Sequence, residues 1–359
     1  MLHILKHIDR EKIDPLLVLF EEKGELLPEL PGDIKVKVLR EEASRYGLQW
    51  LIILRLAALL RSEKPDAVVS FMWYPNLVAL LARLISRTRT AVIVSERTST
   101  SIYDGTVVNF LRSLGIRLLY PKADRIVIAS RALGEKLIRA SRSLKGKTHV
   151  ISNPVDMVAI SGFANEHREH PWYRDGDNIV VAIGRLSNEK GFPYLIKAVS
   201  LLSKDDVSCR LMILGEGPAR KTMESLIREL RLQERVALLG FQKNPYKYLG
   251  NSTLFVLSSL YEGFPNVLLE ALALGVPSIA TRCPTGPDEI ITDGVDGILV
   301  PPADEKALAG AIKRLLMDED LRKRLGDAGR KRAQDFAVEK IVKQYEDAIE
   351  SVCAAPAAR

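Results

Sequence analysis

The stretch TLFVLSSLYEGFPNVLLEALALGVPSIAT at 253–281 decides the fold. It opens with an apolar, β-branched run, TLFVLSS (253–259), and turns through a Gly-Phe-Pro loop. It then becomes a helix with the apolar face Val267, Leu268, Ala271 and Leu272, and closes on a second short run, VPSIAT (276–281). A strand, a crossover helix and a strand in this order form a βαβ unit, whose two strands are parallel. The same alternation continues outward in both directions. GILVPP (297–302) follows, and NIVVAIG (178–184), CRLMILG (209–215) and RVALLG (235–240) precede, with helical patterns at Tyr194–Leu202 and Ala219–Leu230. The first half repeats the scheme with LLVLF (16–20), IKVKVL (34–39), AVVSF (67–71), TAVIVS (90–95), RIVIAS (125–130) and HVIS (149–152). Helical stretches Leu48–Arg61, Leu77–Ser86 and Ala132–Ser141 separate most of these strands. The class is α/β, and two doubly wound Rossmann-like domains fit the pattern better than one long sheet.

The polar stretch Val155–Asp177 has no usable periodicity and marks the boundary. The domains are expected at 1–160 and 161–336, with 337–353 as a C-terminal helix packing back on the first. After Val300 only helical patterns remain, Glu305–Met317, Leu321–Phe336 and Glu339–Val352, followed by a frayed tail. At the other end no apolar strand precedes the helical segment Leu2–Lys12, and no Gly-rich strand–helix turn occurs in the first half. The expectation is an N-terminal sheet that lacks its opening strand.

Composition excludes several classes. With 359 residues, 47% hydrophobic and 27% charged, the chain is globular rather than disordered, collagen-like or coiled-coil. Cys209, Cys283 and Cys353 are too few and scattered for a disulfide framework or a zinc site, so a reducing cytoplasm is expected. The longest apolar stretch, Leu48–Leu60, is broken by Arg55 and too short to cross a bilayer. Charge is uneven: residues 1–155 hold 25 Lys+Arg against 16 Asp+Glu, whereas the remainder holds 27 against 29. Ten basic and two acidic residues fall within 110–147. Such a basic half implies either an anionic partner or a solvated basic face.

Three signals in the second half bear on chemistry. GRLSNEKG (184–191) joins a strand to a helix, placing Gly184, Arg185 and Lys190 where backbone N–H groups and the helix dipole favour a diphosphate; solvated loop cations are the alternative. LGEGP (214–218) repeats a Gly-containing turn, through Gly215, at another strand end, where a tight βα turn is the plainer reading. In EGFPNVLLE (262–270), Glu270 sits inside the helix among core-type residues, and a ribose diol would satisfy both its oxygens. Glu262 lies near the helix N-terminus, where a simple helix-capping acid is the alternative.

GRLSNEKG, LGEGP, LGF (239–241) and above all EGFPNVLLE resemble the retaining glycosyltransferases of family 4, whose GT-B fold sets two Rossmann-like domains around a cleft. The EGFPNVLLE segment resembles that family's E-x7-E motif. The resemblance implies that Arg185 and Lys190 hold the diphosphate of a nucleotide-sugar, that Glu270 binds the ribose and that Glu262 faces the donor sugar. It further implies a nucleobase at the backbone of Phe241–Lys243, including Gln242, and donor contacts from Gly263, Phe264, Asn266 and Val267 around the helix N-terminus. Glu262, Arg185 and Lys190 are the implied catalytic set. No metal is expected: the acidic triplet Asp318-Glu319-Asp320 caps a helix, no Asp-x-Asp follows a strand, and the two cations take a metal's place. No cofactor beyond the donor, a UDP-sugar on this reading, is implied, and no residue is assigned as nucleophile.

In the first half, VSERTST (94–100) follows a strand and resembles the family's acceptor-side loop, making Glu96 and Arg97 acceptor candidates against an ordinary strand-end ion pair. CPTGPDEI (283–290) resembles members that transfer N-acetylhexosamine-type sugars in polysaccharide or lipid-linked oligosaccharide assembly. The segment NFLRSLGIRLLYPKADR (109–125) reads either as a core helix with solvated arginines or as a basic amphipathic segment on an anionic membrane. The implied partners are a nucleotide-sugar, a glycan or polyprenyl-diphosphate-linked acceptor and, through 109–147, the inner face of the cell membrane; nucleic acid is not among them. The alternative is a catalytically silent or truncated GT-B partner that binds nucleotide or membrane without turnover.

Overall fold

The computed structural model describes residues 1–24, 26–39, 49–97, 106–166, 170–173 and 178–354. Residues 98–100 of VSERTST, 167–169 and 174–177 of the boundary stretch and 355–359 of the tail lie outside the described residues. The chain divides into two compact units, Met1–Pro154 with Val338–Arg359, and Val155–Ala337.

The first unit runs α1 (Leu2–His7), β1 (Leu16–Leu19), β2 (Lys35–Val38), α2 (Gln49–Glu63), β3 (Ala67–Phe71), α3 (Trp73–Ser86), β4 (Ala91–Glu96), α4 (Thr106–Leu118), β5 (Arg125–Ile128), α5 (Arg131–Ala140) and β6 (Thr148–Val150). Its strands form two parallel ladders rather than one sheet, β1-β2 and β3-β4-β5-β6. Side chains join them instead. Val18 and Phe20 from β1 and its end share a cluster with Val68 of β3 under α2 and α3. On the opposite face, Leu5 of α1 packs with Leu17, while Ile4 and Ile8 pack in a cluster with Val69 and Phe71. The helical segment expected over Leu2–Lys12 ends at His7, and Ile8 is already extended.

The second unit runs α6 (Met157–Ala164), β7 (Ile179–Ile183), α7 (Phe192–Lys204), β8 (Arg210–Leu214), α8 (Arg220–Glu229), β9 (Val236–Gly240), α9 (Tyr246–Leu249), β10 (Leu254–Leu257), α10 (Asn266–Ala273), β11 (Ser278–Thr281), α11 (Pro287–Ile290), β12 (Ile298–Val300), α12 (Glu305–Met317) and α13 (Glu319–Ala333). Its six strands make one parallel sheet in the order β12-β11-β10-β7-β8-β9. The strand order reverses between β7 and β10, the topological switch point at which open α/β sheets bind ligands beyond their strand C-termini. α14 (Val338–Ala354) then returns to the first unit, burying Val338, Ile341, Val342 and Tyr345 with Ile93 and Val127.

The seam falls at Pro154/Val155, ahead of the expected end at 160. Val155 bridges Ala337 and donates its N–H to the Phe336 carbonyl at 2.9 Å. Asp156 caps α6 through the Ala159 N–H at 2.9 Å. The Val155 contacts tie the start of this segment to the second unit, and the Asp156 cap carries it on into α6.

Candidate active site

The loops after β7 and β10 meet at the switch point. After β7, Gly191 takes φ +62°, and a Cβ there would sit 2.1 Å from the Ser258 carbonyl oxygen. Glycine is therefore required for the two loops to touch. Their main chains are further joined by the Leu260 N–H to the Glu189 carbonyl at 2.8 Å. This contact brings the half-buried Lys190 to Glu262, with Nζ donating to Oε1 at 2.7 Å. Glu262 is 8% exposed, and the buried Ser259 hydroxyl donates to the same Oε1 at 2.6 Å. The Thr285 hydroxyl donates to the Glu262 carbonyl and fixes the main chain as well. Arg185 is exposed, and its guanidinium forms no ion pair among the described residues.

Gly215, at the end of β8, has φ +135°, and a Cβ would lie 2.0 Å from the Gly184 carbonyl oxygen. The Leu186 N–H donates to the Glu216 carbonyl and the Ala219 N–H to the Leu186 carbonyl, both at 2.9 Å. The glycine in GEGP thus serves close packing of neighbouring loops. At the end of β9, Phe241 is 66% exposed, and Gln242 donates Nε2 to the Leu239 carbonyl at 2.8 Å.

The helix α10 carries the second carboxylate. Asn266 is exposed and Val267 half-buried in its first turn, where main-chain N–H groups lack intrahelical acceptors. Glu270 lies one turn after Asn266, on the same face. Burial pushes its carboxyl up to about 7, against a hydrogen bond from the Tyr246 side chain that favours the ionised form. Phe163 stacks on the Tyr246 ring, with centroids 6.2 Å apart. Phe264 is a correction: its ring is buried against Phe336, centroids 5.9 Å apart, so its side chain belongs to the core. Gly263 beside it is half-buried.

In the first unit, Glu96 and Arg97 separate. Glu96 is fully buried, paired with Arg112 at 3.2 Å and accepting from the Tyr120 hydroxyl at 2.9 Å. Burial, then the Glu96 charge, raises the Tyr120 phenol well above its ordinary value. Glu96 therefore serves an internal ion pair and offers no surface contact. Arg97 stays at the strand end, with Nε donating to the Ser95 hydroxyl at 2.9 Å and NH1 to Asn153. Its guanidinium lies over the Phe71 and Tyr345 rings, 5.7 and 5.6 Å from their centroids, and burial lowers its pKa to about 10. Sequence reading missed Ser259, Thr285, Tyr246 and Asn153; the Ser258-Ser259 pair, with two residues between it and the EGFPN loop, was the one local signal.

The family description Glycosyltransferase Family 4 matches residues 1–158, and Glycosyl transferases group 1 matches 163–332. An uncharacterized glycosyltransferase of Methanocaldococcus jannaschii is 32% identical over 369 residues, 90% of each chain. The N-acetylgalactosamine-N,N'-diacetylbacillosaminyl-diphospho-undecaprenol 4-alpha-N-acetylgalactosaminyltransferase of Campylobacter jejuni is 33% identical over 298 residues, 81% of this chain and 78% of its own. Among solved structures, Anabaena HepE in complex with UDP and glucose superposes with a TM-score of 0.79 at 22% identity, covering 98% of this chain and 94% of that one. These likenesses, with the two parallel α/β units, establish the GT-B fold and place this chain in glycosyltransferase family 4, as a glycosyltransferase.

Proposed function

We propose that this chain moves a hexosyl or N-acetylhexosaminyl group from a UDP-sugar to a glycan or lipid-linked acceptor, with retention and without a metal ion. The observation that carries the reading is the Lys190–Glu262 pair at the β7/β10 switch point, flanked by Arg185 and Glu270. Arg185 and Lys190 stabilise the negative charge that develops on the departing diphosphate. Glu270 accepts the ribose hydroxyls, the backbone at 241–243 meets the base, and Glu262 accepts from a donor-sugar hydroxyl. The C1–phosphate bond breaks as the acceptor oxygen bonds on the same face, and the acceptor proton passes to the leaving phosphate oxygen; no side chain acts as nucleophile.

UDP as the nucleotide is supported by HepE, solved with UDP, and a lipid-linked acceptor by the Campylobacter relative named for a diphospho-undecaprenol substrate. Arg97 is the acceptor-side contact in this reading. On α4, Phe110, Leu114 and Leu118 stand 66%, 42% and 59% exposed at i, i+4 and i+8, beside the exposed Arg117. Such a stripe on a basic unit suits an anionic membrane surface at the cytoplasmic face. No described helix is long and apolar enough to cross a membrane.

Calorimetric titration with UDP, GDP and ADP tests the donor assignment. Selective UDP binding, weakened by Arg185→Ala and by Glu270→Ala, is the expected result. Equal binding of all three, or none, overturns it.

A further inference from the structure

Two serines stand side by side at the C-terminal end of β10, both about 1% exposed. The Ser258 hydroxyl donates to the Lys190 carbonyl at 2.9 Å, fixing the main chain of the β7 loop. The Ser259 hydroxyl donates to Glu262 Oε1 at 2.6 Å, the oxygen that also receives Lys190 Nζ at 2.7 Å. With two donors on Oε1, its lone pairs are occupied. Oε2 takes no hydrogen bond among the described residues.

We propose that Ser259 is a positioning residue for sugar transfer: it locks the Glu262 carboxylate with Oε1 turned inward and Oε2 presented as the single acceptor for a donor-sugar hydroxyl. Without it the carboxylate is free to rotate about its terminal torsion, and Lys190 holds a partner whose orientation is no longer set. The nucleotide contacts on α10 and at the end of β9 do not pass through Ser259, so the effect falls on the sugar and not on UDP. Ser258 does the complementary task for Lys190 through its main chain. The inference rests on the assignment of Glu262 to the donor sugar made above.

The test uses the full chain with whichever of UDP-glucose, UDP-galactose and their N-acetyl derivatives it consumes, following UDP release, alongside calorimetry with UDP alone. Ser259→Ala is expected to lower kcat roughly 10- to 100-fold, because small misplacement of a contacting group is that costly, while UDP affinity stays within about twofold. Added to Glu262→Gln, Ser259→Ala is expected to cost almost nothing more, the signature of two residues acting as one unit. Ser259→Thr, which keeps the hydroxyl, restores most of the rate. Should Ser259→Ala fail to fold, Ser259→Cys, of similar size and a weak donor, carries the same comparison. The proposal is overturned if UDP affinity falls in step with kcat, or if the Ser259 and Glu262 effects multiply. Wild-type chain that binds no UDP overturns the donor assignment itself, and this inference falls with it; normal UDP binding with an unaffected Ser259→Ala rate removes this inference alone.

Discussion

The second unit carries its site loops on one unbroken six-stranded sheet, whereas the first unit's strands form separate ladders of two and four. In the second, adjacent strand ends are locked main chain to main chain: Gly215 against Gly184, Gly191 against Ser258. In the first, the described residues join β1 and β3 through side-chain clusters, with α2 and α3 on one face and α1 and α14 in the clusters of the other. Hydrogen-bonded ladders fix register to fractions of an ångström, while side-chain packing tolerates small shifts. The Lys190–Glu262 pair, to which we assign the donor-side chemistry, resides where the backbone is locked. In the first unit, to which we assign the acceptor, the two ladders are joined to each other by packing, and α14 contributes to one of the clusters involved.

The sharpest way to break that contrast is to remove packing from one unit and backbone fit from the other. Tyr345 is 1% exposed, lies beside the Phe71 ring at 6.2 Å and carries Arg97 over its face. Tyr345→Ala should cost about 4 kcal/mol, typical of a buried aromatic truncation. Hydrogen exchange should show the loss in β3, β4 and α14, with the second unit's protection unchanged. Gly215→Ala should cost about 2 kcal/mol through its positive φ and its collision with the Gly184 carbonyl. Its loss of protection should be confined to β7, β8 and their loops, and UDP binding should weaken with it. Spread of either effect into the other unit would show that the two are not separately supported.

The extent to which this architecture is legible in sequence follows the same divide. The twelve strands among the described residues all coincide with short β-branched runs, and α12 matches its periodic segment Glu305–Met317. Alternation and helical period are local properties, so they survive in a single sequence. The EGFPN motif also gave the position of both carboxylates, because one loop and one helix turn carry them. The pairings were not legible. Glu96 stood as an acceptor candidate against a strand-end ion pair, and its partners, Arg112 and Tyr120, were not visible; Phe264 stood as a donor contact, and Phe336 covers its ring. Lys190 meets Glu262 across 72 positions of chain, and nothing local in either loop encodes that contact. The break between β1 and β3 is likewise a matter of which edges meet, which strand patterns do not specify.

A smaller effect sharpens the donor side. The Glu270 carboxyl has its pKa raised to about 7 by burial, so it is mostly protonated below that pH and ionised above it. On the ribose assignment made above, the ionised form offers both oxygens as acceptors to the diol, whereas the protonated form turns one of them into a donor. UDP affinity should therefore rise with pH through about 7, by about tenfold, the worth of one hydrogen bond to a charged group. Binding near pH 7 should release a proton, since the ligand favours the ionised form. Calorimetry between pH 5.5 and 8.5 in buffers of different ionisation enthalpy measures both quantities, and Glu270→Gln should flatten the profile. A wild-type profile already flat would place the ribose elsewhere.

The smallest effect belongs to the first unit's surface. Leu118 is 59% exposed on the α4 stripe, so Leu118→Ser should leave folding stability within about 0.5 kcal/mol. On a membrane the same change removes a side chain from the acyl boundary, at about 1 kcal/mol, or roughly fivefold in partitioning. Flotation with vesicles containing anionic phospholipid should show that loss, and raising salt should weaken wild type and variant alike because the arginine contribution is screened. Neutral vesicles should bind neither. If wild-type chain floats equally with neutral and anionic lipid, charge has no part in docking. If Leu118→Ser floats as well as wild type, the stripe is merely exposed, and docking on a bilayer does not run through α4.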